Sequence, residues 1–220
     1  MKNKKQAVIF DLDGTLIDSL GLHYQSYTEV LKDLNIKLTK EQFRNFNGLT
    51  GKEILKKILP PKTKDQLIEQ IYKEKHQVTV DHLDRVVLMK HAKEILIWCK
   101  VNKILVALAT SSNKDFVNKI FKFHKITKYF DTILSWEDIT KPKPDPEIFE
   151  SAARALGMKM SQALVVEDSE MGIISAKKAK ITAVALIGTN NKKQLESMRF
   201  KPDYIINDLL VIKDFLINLT

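Results

Sequence analysis

The chain has 220 residues, 44% hydrophobic and 29% charged, which suits one large domain or one domain with a small insertion and is enough for a buried core. Its net charge of +9 comes mostly from dispersed lysines, with no basic run interleaved with stacking aromatics, so no nucleic-acid partner is expected and solvated faces account for the charge. No apolar run reaches the length of a membrane span, and a single cysteine cannot form an internal disulfide, so no membrane partner and a cytoplasmic location are expected.

In chain order, the start MKNKKQAVIFD offers only a four-residue apolar run before an aspartate, too short for a signal peptide. Ala7–Phe10 is the first predicted strand. From about Leu20 to about Val87 no convincing strand occurs. Helical patterns there cover Leu22–Leu34, Lys40–Asn45, Gly51–Ile58 and Lys64–Gln77, and Pro60-Pro61 divides the last two. Beyond it, predicted strands at Ile104–Ala109, Thr132–Leu134, Ala163–Val166, Ala183–Leu186 and Tyr204–Ile206 alternate with helices. Those helices are Lys90–Val101, Lys114–Phe123, Pro146–Leu156, Met171–Lys178, Lys192–Met198 and Leu209–Asn218. Cys99 falls in the first of them and reads as a buried structural residue. Most of the strands are continuously apolar, as strands buried on both faces of a parallel sheet must be. The pattern predicts an α/β fold, a doubly wound Rossmann-like parallel sheet with an all-helical insertion after the first strand. The core would comprise residues 1–17 and 88–220, and the insertion residues 18–87.

Four stretches carry candidate chemistry. The first strand runs into Asp11-Leu12-Asp13-Gly14-Thr15. Two carboxylates this close repel unless a cation lies between them, and Mg²⁺ prefers such hard oxygen ligands. Asp-Gly is also a turn dipeptide, so the motif alone has a plain structural reading. Ala163–Val166 ends in Glu167-Asp168-Ser169, a second acidic strand end that could converge on the same metal or simply cap the next helix. Ile104–Ala109 ends in Thr110-Ser111-Ser112-Asn113, hydroxyls and amides where a helix opens, suited to phosphate and to N-capping alike. The fourth, Thr140-Lys141-Pro142-Lys143-Pro144-Asp145-Pro146, is a proline-stiffened loop that could aim a lysine at a phosphoryl group.

In this order, the four stretches resemble the motif set of the haloacid dehalogenase-like phosphotransferases over essentially the whole chain. The helical insertion, Asp18-Ser19, His23 and Glu167-Asp168-Ser169 with Gly172 resemble the branch with a small four-helix cap, which holds β-phosphoglucomutase and sugar-phosphate and phosphoglycolate phosphatases. The resemblance implies Asp11 as nucleophile and Asp13 as general acid and base. It implies Mg²⁺ held by Asp11, Asp13 and Asp168, with Glu167 as a further or outer ligand. Thr110 and Ser111 would bind phosphate, and Lys141 would supply a fixed charge. At the mouth of the cap it implies His23, the loop Gly48-Leu49-Thr50-Gly51-Lys52, and Lys75. The expected function is a Mg²⁺-dependent phosphatase acting on a small phosphorylated metabolite such as a sugar phosphate, as a monomer. The alternative is a β-phosphoglucomutase-like mutase. Gly51, with Lys52 beside it, stands where the mutase has a phosphate-gripping arginine, which weakens that alternative. Lys90-His91 replaces a Pro-Gly pair common in the branch and is expected to matter for structure alone.

Overall fold

The computed structural model describes residues 6–218; the basic start, Met1 to Lys5, lies outside the described residues. Six strands form one parallel sheet: β1 (Ala7–Phe10), β4 (Leu105–Ala109), β5 (Thr132–Leu134), β6 (Ala163–Glu167), β7 (Thr182–Leu186) and β8 (Tyr204–Ile206), in the order β5-β4-β1-β6-β7-β8. β1 is central. The chain leaves it toward β4 and β5 on one side and returns to β6, β7 and β8 on the other, so a crevice opens beyond its C-terminal end.

The strands alternate side chains between two buried layers. Val8, Phe10, Val106, Leu108, Leu164 and Val166 pack with α5 (Ala92–Val101), α6 (Lys114–His124) and α10 (Ile212–Asn218). Ala7, Ala107, Ala109, Ala163 and Ala183 face α7 (Glu147–Ala155) and α8 (Glu170–Lys178), and these small residues let the two helices approach closely. Cys99 is fully buried in the first layer, where burial pushes its thiol up to about 12. It therefore stays a protonated packing residue. α9 (Lys192–Ser197) completes the helices of the core.

The insertion is helical, as its sequence implies: α1 (Leu20–Lys32), α2 (Lys40–Arg44), α3 (Gly51–Ile58) and α4 (Asp65–Asp81). Thr39 and Thr50 each cap a helix through a reciprocal Thr-x-x-Gln or Thr-x-x-Glu box. These helices close over their own core of Tyr27, Leu31, Phe43, Leu55 and Ile71. One feature is absent from the sequence reading. β2 (Ile17–Asp18) and β3 (Val87–Leu88) pair antiparallel, so the chain enters and leaves the cap through a two-residue ribbon. Strands this short carry no periodicity of their own.

Candidate active site

The register of the sheet brings three motif loops together. Phe10 pairs with Leu108 on one side and Val166 on the other, so Asp11, Thr110 and the Glu167-Asp168 pair emerge side by side. Gly14 turns the chain back after Asp13 at φ +82°, and a Cβ there would overlap the Asp168 carboxylate. A glycine is therefore required twice over, by conformation and by space.

Asp11 is buried, and its Oδ1 accepts a 2.6 Å hydrogen bond from Lys143 Nζ. The same ammonium donates to Glu167 Oε1 at 2.7 Å and to the Ala109 carbonyl at 3.1 Å, and it lies 4.8 Å from the Phe149 ring centroid. Lys143 therefore occupies the place expected of Lys141. Lys141 is exposed, and its backbone N–H donates to Glu147 Oε2 at 2.8 Å. The two lysines are two residues apart on one extended loop, and each precedes a proline. The physical difference lies beyond the loop: Lys143 is nearer the buried start of α7, whose Phe149 ring lies under its ammonium. Among the described residues, the hydrogen bonds to the Asp11 carboxylate all come from Lys143, on Oδ1.

Glu167 is saturated. Its Oε2 accepts from the N–H groups of Asp168 and Ser169 and from Ser169 Oγ, at 2.8 to 2.9 Å, while Oε1 holds Lys143. Asp168 is fully buried and accepts from Asn47 Nδ2 at 3.0 Å and from Thr189 Oγ1, both on Oδ2. Oxygens of Asp11, Glu167 and Asp168 lie within 4.8 Å of one another. Burial raises the Asp11 carboxyl well above the ordinary range, opposed by Lys143 and reinforced by Glu167 and Asp168. Burial and the Glu167 charge push Asp168 up to about 7. A buried set of hard oxygens that repel one another to this degree fits a divalent cation.

Asp13 is held in the opposite sense. Burial pushes its carboxyl up, but His23 and the hydroxyls of Ser112 and Ser19 outweigh this and set it at about 2. Ser112 Oγ donates to Oδ2 at 2.6 Å, Ser19 Oγ donates to Oδ1, and His23 Nε2 lies 3.0 Å from Oδ1. Lys75 Nζ stands 2.9 Å from His23 Nδ1 and over the Tyr27 ring. An ammonium can only donate, so Nδ1 accepts and the neutral ring carries its proton on Nε2, directed at Asp13. Burial and the Lys75 charge lower the His23 pKa, consistent with that neutral form.

The remaining expected residues divide. Thr110 is buried and its Oγ1 accepts from the Ser112 N–H at 3.0 Å. Ser111 lines the pocket and donates to the carbonyl of Gly48 in the cap at 2.8 Å. His23 and Lys75 line the pocket; Lys52 does not. It pairs with Glu69 at 2.6 Å and lies over the Tyr72 and Trp136 rings at the rim. The cap wall is largely apolar, with Tyr27, Phe43, Phe46, Leu49, Ile54 and Tyr72. Residues missed by the sequence reading are Lys143, Ser112 and Ser19 in recognised motifs, and Asn47 and Thr189 outside them. The Thr-Ser-Ser-Asn run carried a signal for Ser112; nothing in the sequence singles out Asn47 or Thr189.

The model of the haloacid dehalogenase-like hydrolases matches residues 8–186. The chain is 30% identical over 205 residues to pyrophosphatase PpaX of Oceanobacillus iheyensis, covering 93% of each. It is 29% identical over 214 residues to the phosphorylated carbohydrates phosphatase of Thermotoga maritima, covering 93% of this chain and 98% of that one. Its fold matches the crystal structure of β-phosphoglucomutase from Clostridium difficile at a TM-score of 0.85 and 22% identity, over 96% of this chain and 97% of that one. With the motif loops assembled as described, the chain is an enzyme of the haloacid dehalogenase-like hydrolase family.

Proposed function

We propose that this enzyme is a Mg²⁺-dependent phosphatase that hydrolyses a small phosphorylated metabolite through an aspartyl phosphate on Asp11. The observation that carries the reading is the pairing of two unlike carboxylates under one cap. Asp11 has one oxygen fixed by Lys143, and Asp13 is fixed from the cap side by His23. Asp11 would attack phosphorus with Oδ2, while Lys143 and the bound cation together favour its ionised form against burial and Lys143 offsets the phosphoryl charge. Asp13, ionised in the fold, would first take up a solvent proton as the phosphate's negative charge approaches, give it to the leaving oxygen and then take one from the attacking water, and His23 would hold its carboxylate in line for both steps. Asp11, Asp168 and the Asp13 backbone carbonyl would hold Mg²⁺, with Glu167 behind them because four donors already occupy its carboxylate. When bound, the ion shields the repulsion between carboxylate and phosphate. The Thr110 hydroxyl would bind phosphate oxygens, and so would Ser111 once released from Gly48.

Two relatives that share 93% of the chain are phosphatases by name, of pyrophosphate and of phosphorylated carbohydrates. The likeness to a mutase is one of sequence as well as fold, since the β-phosphoglucomutase of Bacillus subtilis is 27% identical over 82% of this chain, so the choice between the two rests on the cap. A mutase must grip a second phosphate, and the cap offers little for that. A Cβ on Gly51 would sit 2.5 Å from the Tyr72 ring, and neighbouring Lys52 is committed to Glu69.

Phosphate release should be followed with sugar phosphates, phosphoglycolate, nucleotides, pyrophosphate and β-glucose 1-phosphate, with Mg²⁺ and with a chelator. Mg²⁺-dependent release from one class is the expected result. Conversion of β-glucose 1-phosphate to glucose 6-phosphate without free phosphate would replace the phosphatase reading with the mutase. Release that is indifferent to the chelator would remove the metal from it.

A further inference from the structure

Among the described residues, one cap side chain is hydrogen-bonded to the buried acidic cluster: Asn47, in the loop between α2 and α3. Its Nδ2 donates to Asp168 Oδ2 at 3.0 Å and to Thr189 Oγ1 at 3.2 Å. The orientation of the amide is set by its other end, because Oδ1 accepts the Gly48 N–H at 3.1 Å. The loop is seated on the core at two further points. Ser111 Oγ donates to the Gly48 carbonyl. Gly48 itself, at φ +86°, lies so close to Ser169 that a Cβ would clash with its hydroxyl. Both Asn47 and Thr189 approach the same oxygen of Asp168, leaving Oδ1 with only a long 3.4 Å contact from Thr15.

We infer that Asn47 is a positioning residue that couples closure of the cap to Mg²⁺ affinity. This rests on the metal assignment proposed above. With the cap shut, Asn47 and Thr189 hold Oδ2, favour the ionised carboxylate, and present Oδ1 to the ion. With the cap open, one of these two donors leaves. Groups that orient a metal's ligands in this way commonly control affinity by an order of magnitude or more. The coupling is reciprocal: if closure tightens Mg²⁺, then Mg²⁺ favours closure.

The test is Mg²⁺ titration calorimetry on wild type, Asn47→Leu and Thr189→Val, joined to hydrogen exchange of the wild-type loop. Asn47→Leu should weaken Mg²⁺ roughly tenfold. Its melting temperature in chelator should stay close to wild type. It should also raise KM and the Mg²⁺ requirement while kcat at saturating metal changes little. Thr189→Val should weaken Mg²⁺ similarly, since it removes the other donor to the same oxygen. In wild type without substrate, Mg²⁺ should slow exchange of the amides around Asn47 and Gly48. That last measurement needs no variant to fold. Unchanged or tighter Mg²⁺ binding in Asn47→Leu overturns the inference alone, as does faster loop exchange on adding Mg²⁺. Absence of Mg²⁺ binding by wild type overturns the metal assignment and the inference with it.

Discussion

The two halves of the active site are built by different means. In the core, Lys143, Asp11 and Glu167 are satisfied by neighbours in the core, while Asp13 and Asp168 each also meet a cap residue. Lys143 meets Asp11, Glu167 and the Ala109 carbonyl, and Glu167 meets Lys143 and its own loop. In the cap, several polar groups reach across to partners in the core. His23 reaches Asp13, Asn47 reaches Asp168, and Tyr72 and His76 reach Asn113. The Lys143–Asp11–Glu167 set therefore does not depend on where the cap sits, whereas the contacts of His23 and Asn47 with Asp13 and Asp168 do. Pairs of this kind contribute little net free energy each, so the shut state is poised rather than locked.

The hardest test of that division is at the nucleophile. Asp11→Asn should lower turnover on the order of 10⁴-fold while the protein stays folded, because an amide oxygen is a poor nucleophile and the shape is unchanged. Phosphate release and a thermal melt measure the two effects separately. Near-wild-type turnover would mean that the core half does not hold the nucleophile.

Next in size is the lysine loop. Lys143→Ala leaves two buried carboxylates without their cation, which should cost about 3–5 kcal/mol of stability. It should also cost on the order of 10²–10³-fold in turnover. Lys141→Ala, on the exposed side of the same loop, should change both by less than about twofold in rate and about 0.5 kcal/mol in stability. The reverse ranking would return the role to Lys141.

This pair also shows what a sequence can carry. Strand ends were legible because a buried parallel strand is an apolar run, and an acid that terminates it has few structural reasons to be there. Asp11, Asp13, Glu167 and Asp168 were found on that signal. The choice between Lys141 and Lys143 was not legible, since both fit a stiff loop and only the packing of Phe149 tells them apart. Asn47 and Thr189 were silent for a related reason. They are ordinary loop residues until tertiary structure sets them 3.2 Å apart across the two halves. The β2–β3 ribbon was too short to have a pattern.

A third prediction concerns pH. The Asp168 pKa is raised from 3.8 to about 7, by burial first and then by Glu167. Its contribution to stability is full below about 4 and is lost as pH rises to about 7, a difference of at most roughly 4 kcal/mol. A bound cation removes the penalty on the ionised form. Mg²⁺ should thus raise the melting temperature by about 5 °C more at pH 7 than at pH 5. An equal rise at both values would mean that the ion does not bind at Asp168.

A smaller effect is expected in the cap. Burial lowers the Lys75 pKa from 10.5 to about 8, so the fold disfavours the charge that the side chain carries at pH 7. Lys75→Met should therefore melt a few degrees higher. It should also lose the donor that fixes the His23 tautomer, lowering kcat/KM by about tenfold. A stabilised variant with unchanged kcat/KM would reduce Lys75 to a packing residue and separate His23 from it.

The smallest effect is expected where the chain returns from cap to core. His91 adopts φ +62°, a conformation that favours glycine, and its Nδ1 is bonded to both oxygens of Asp208 at 2.8 and 2.9 Å. The replacement of a glycine by histidine noted in the sequence is therefore strained in backbone and tethered by its side chain. His91→Gly relieves about 1–2 kcal/mol of backbone strain. It loses a partly exposed pair worth about 0.2–1 kcal/mol. It also adds roughly 0.5–1 kcal/mol of chain entropy to the unfolded state. These nearly cancel, so the melting temperature should move by less than about 3 °C. His91→Ala keeps the strain and loses the pair, so it should be the less stable of the two. Turnover should be unchanged in both, because His91 touches neither half of the site. If His91→Gly instead alters kcat with stability intact, the return from the Val87–Leu88 strand transmits cap position to the core, and the two halves are coupled through the backbone as well as through Asn47.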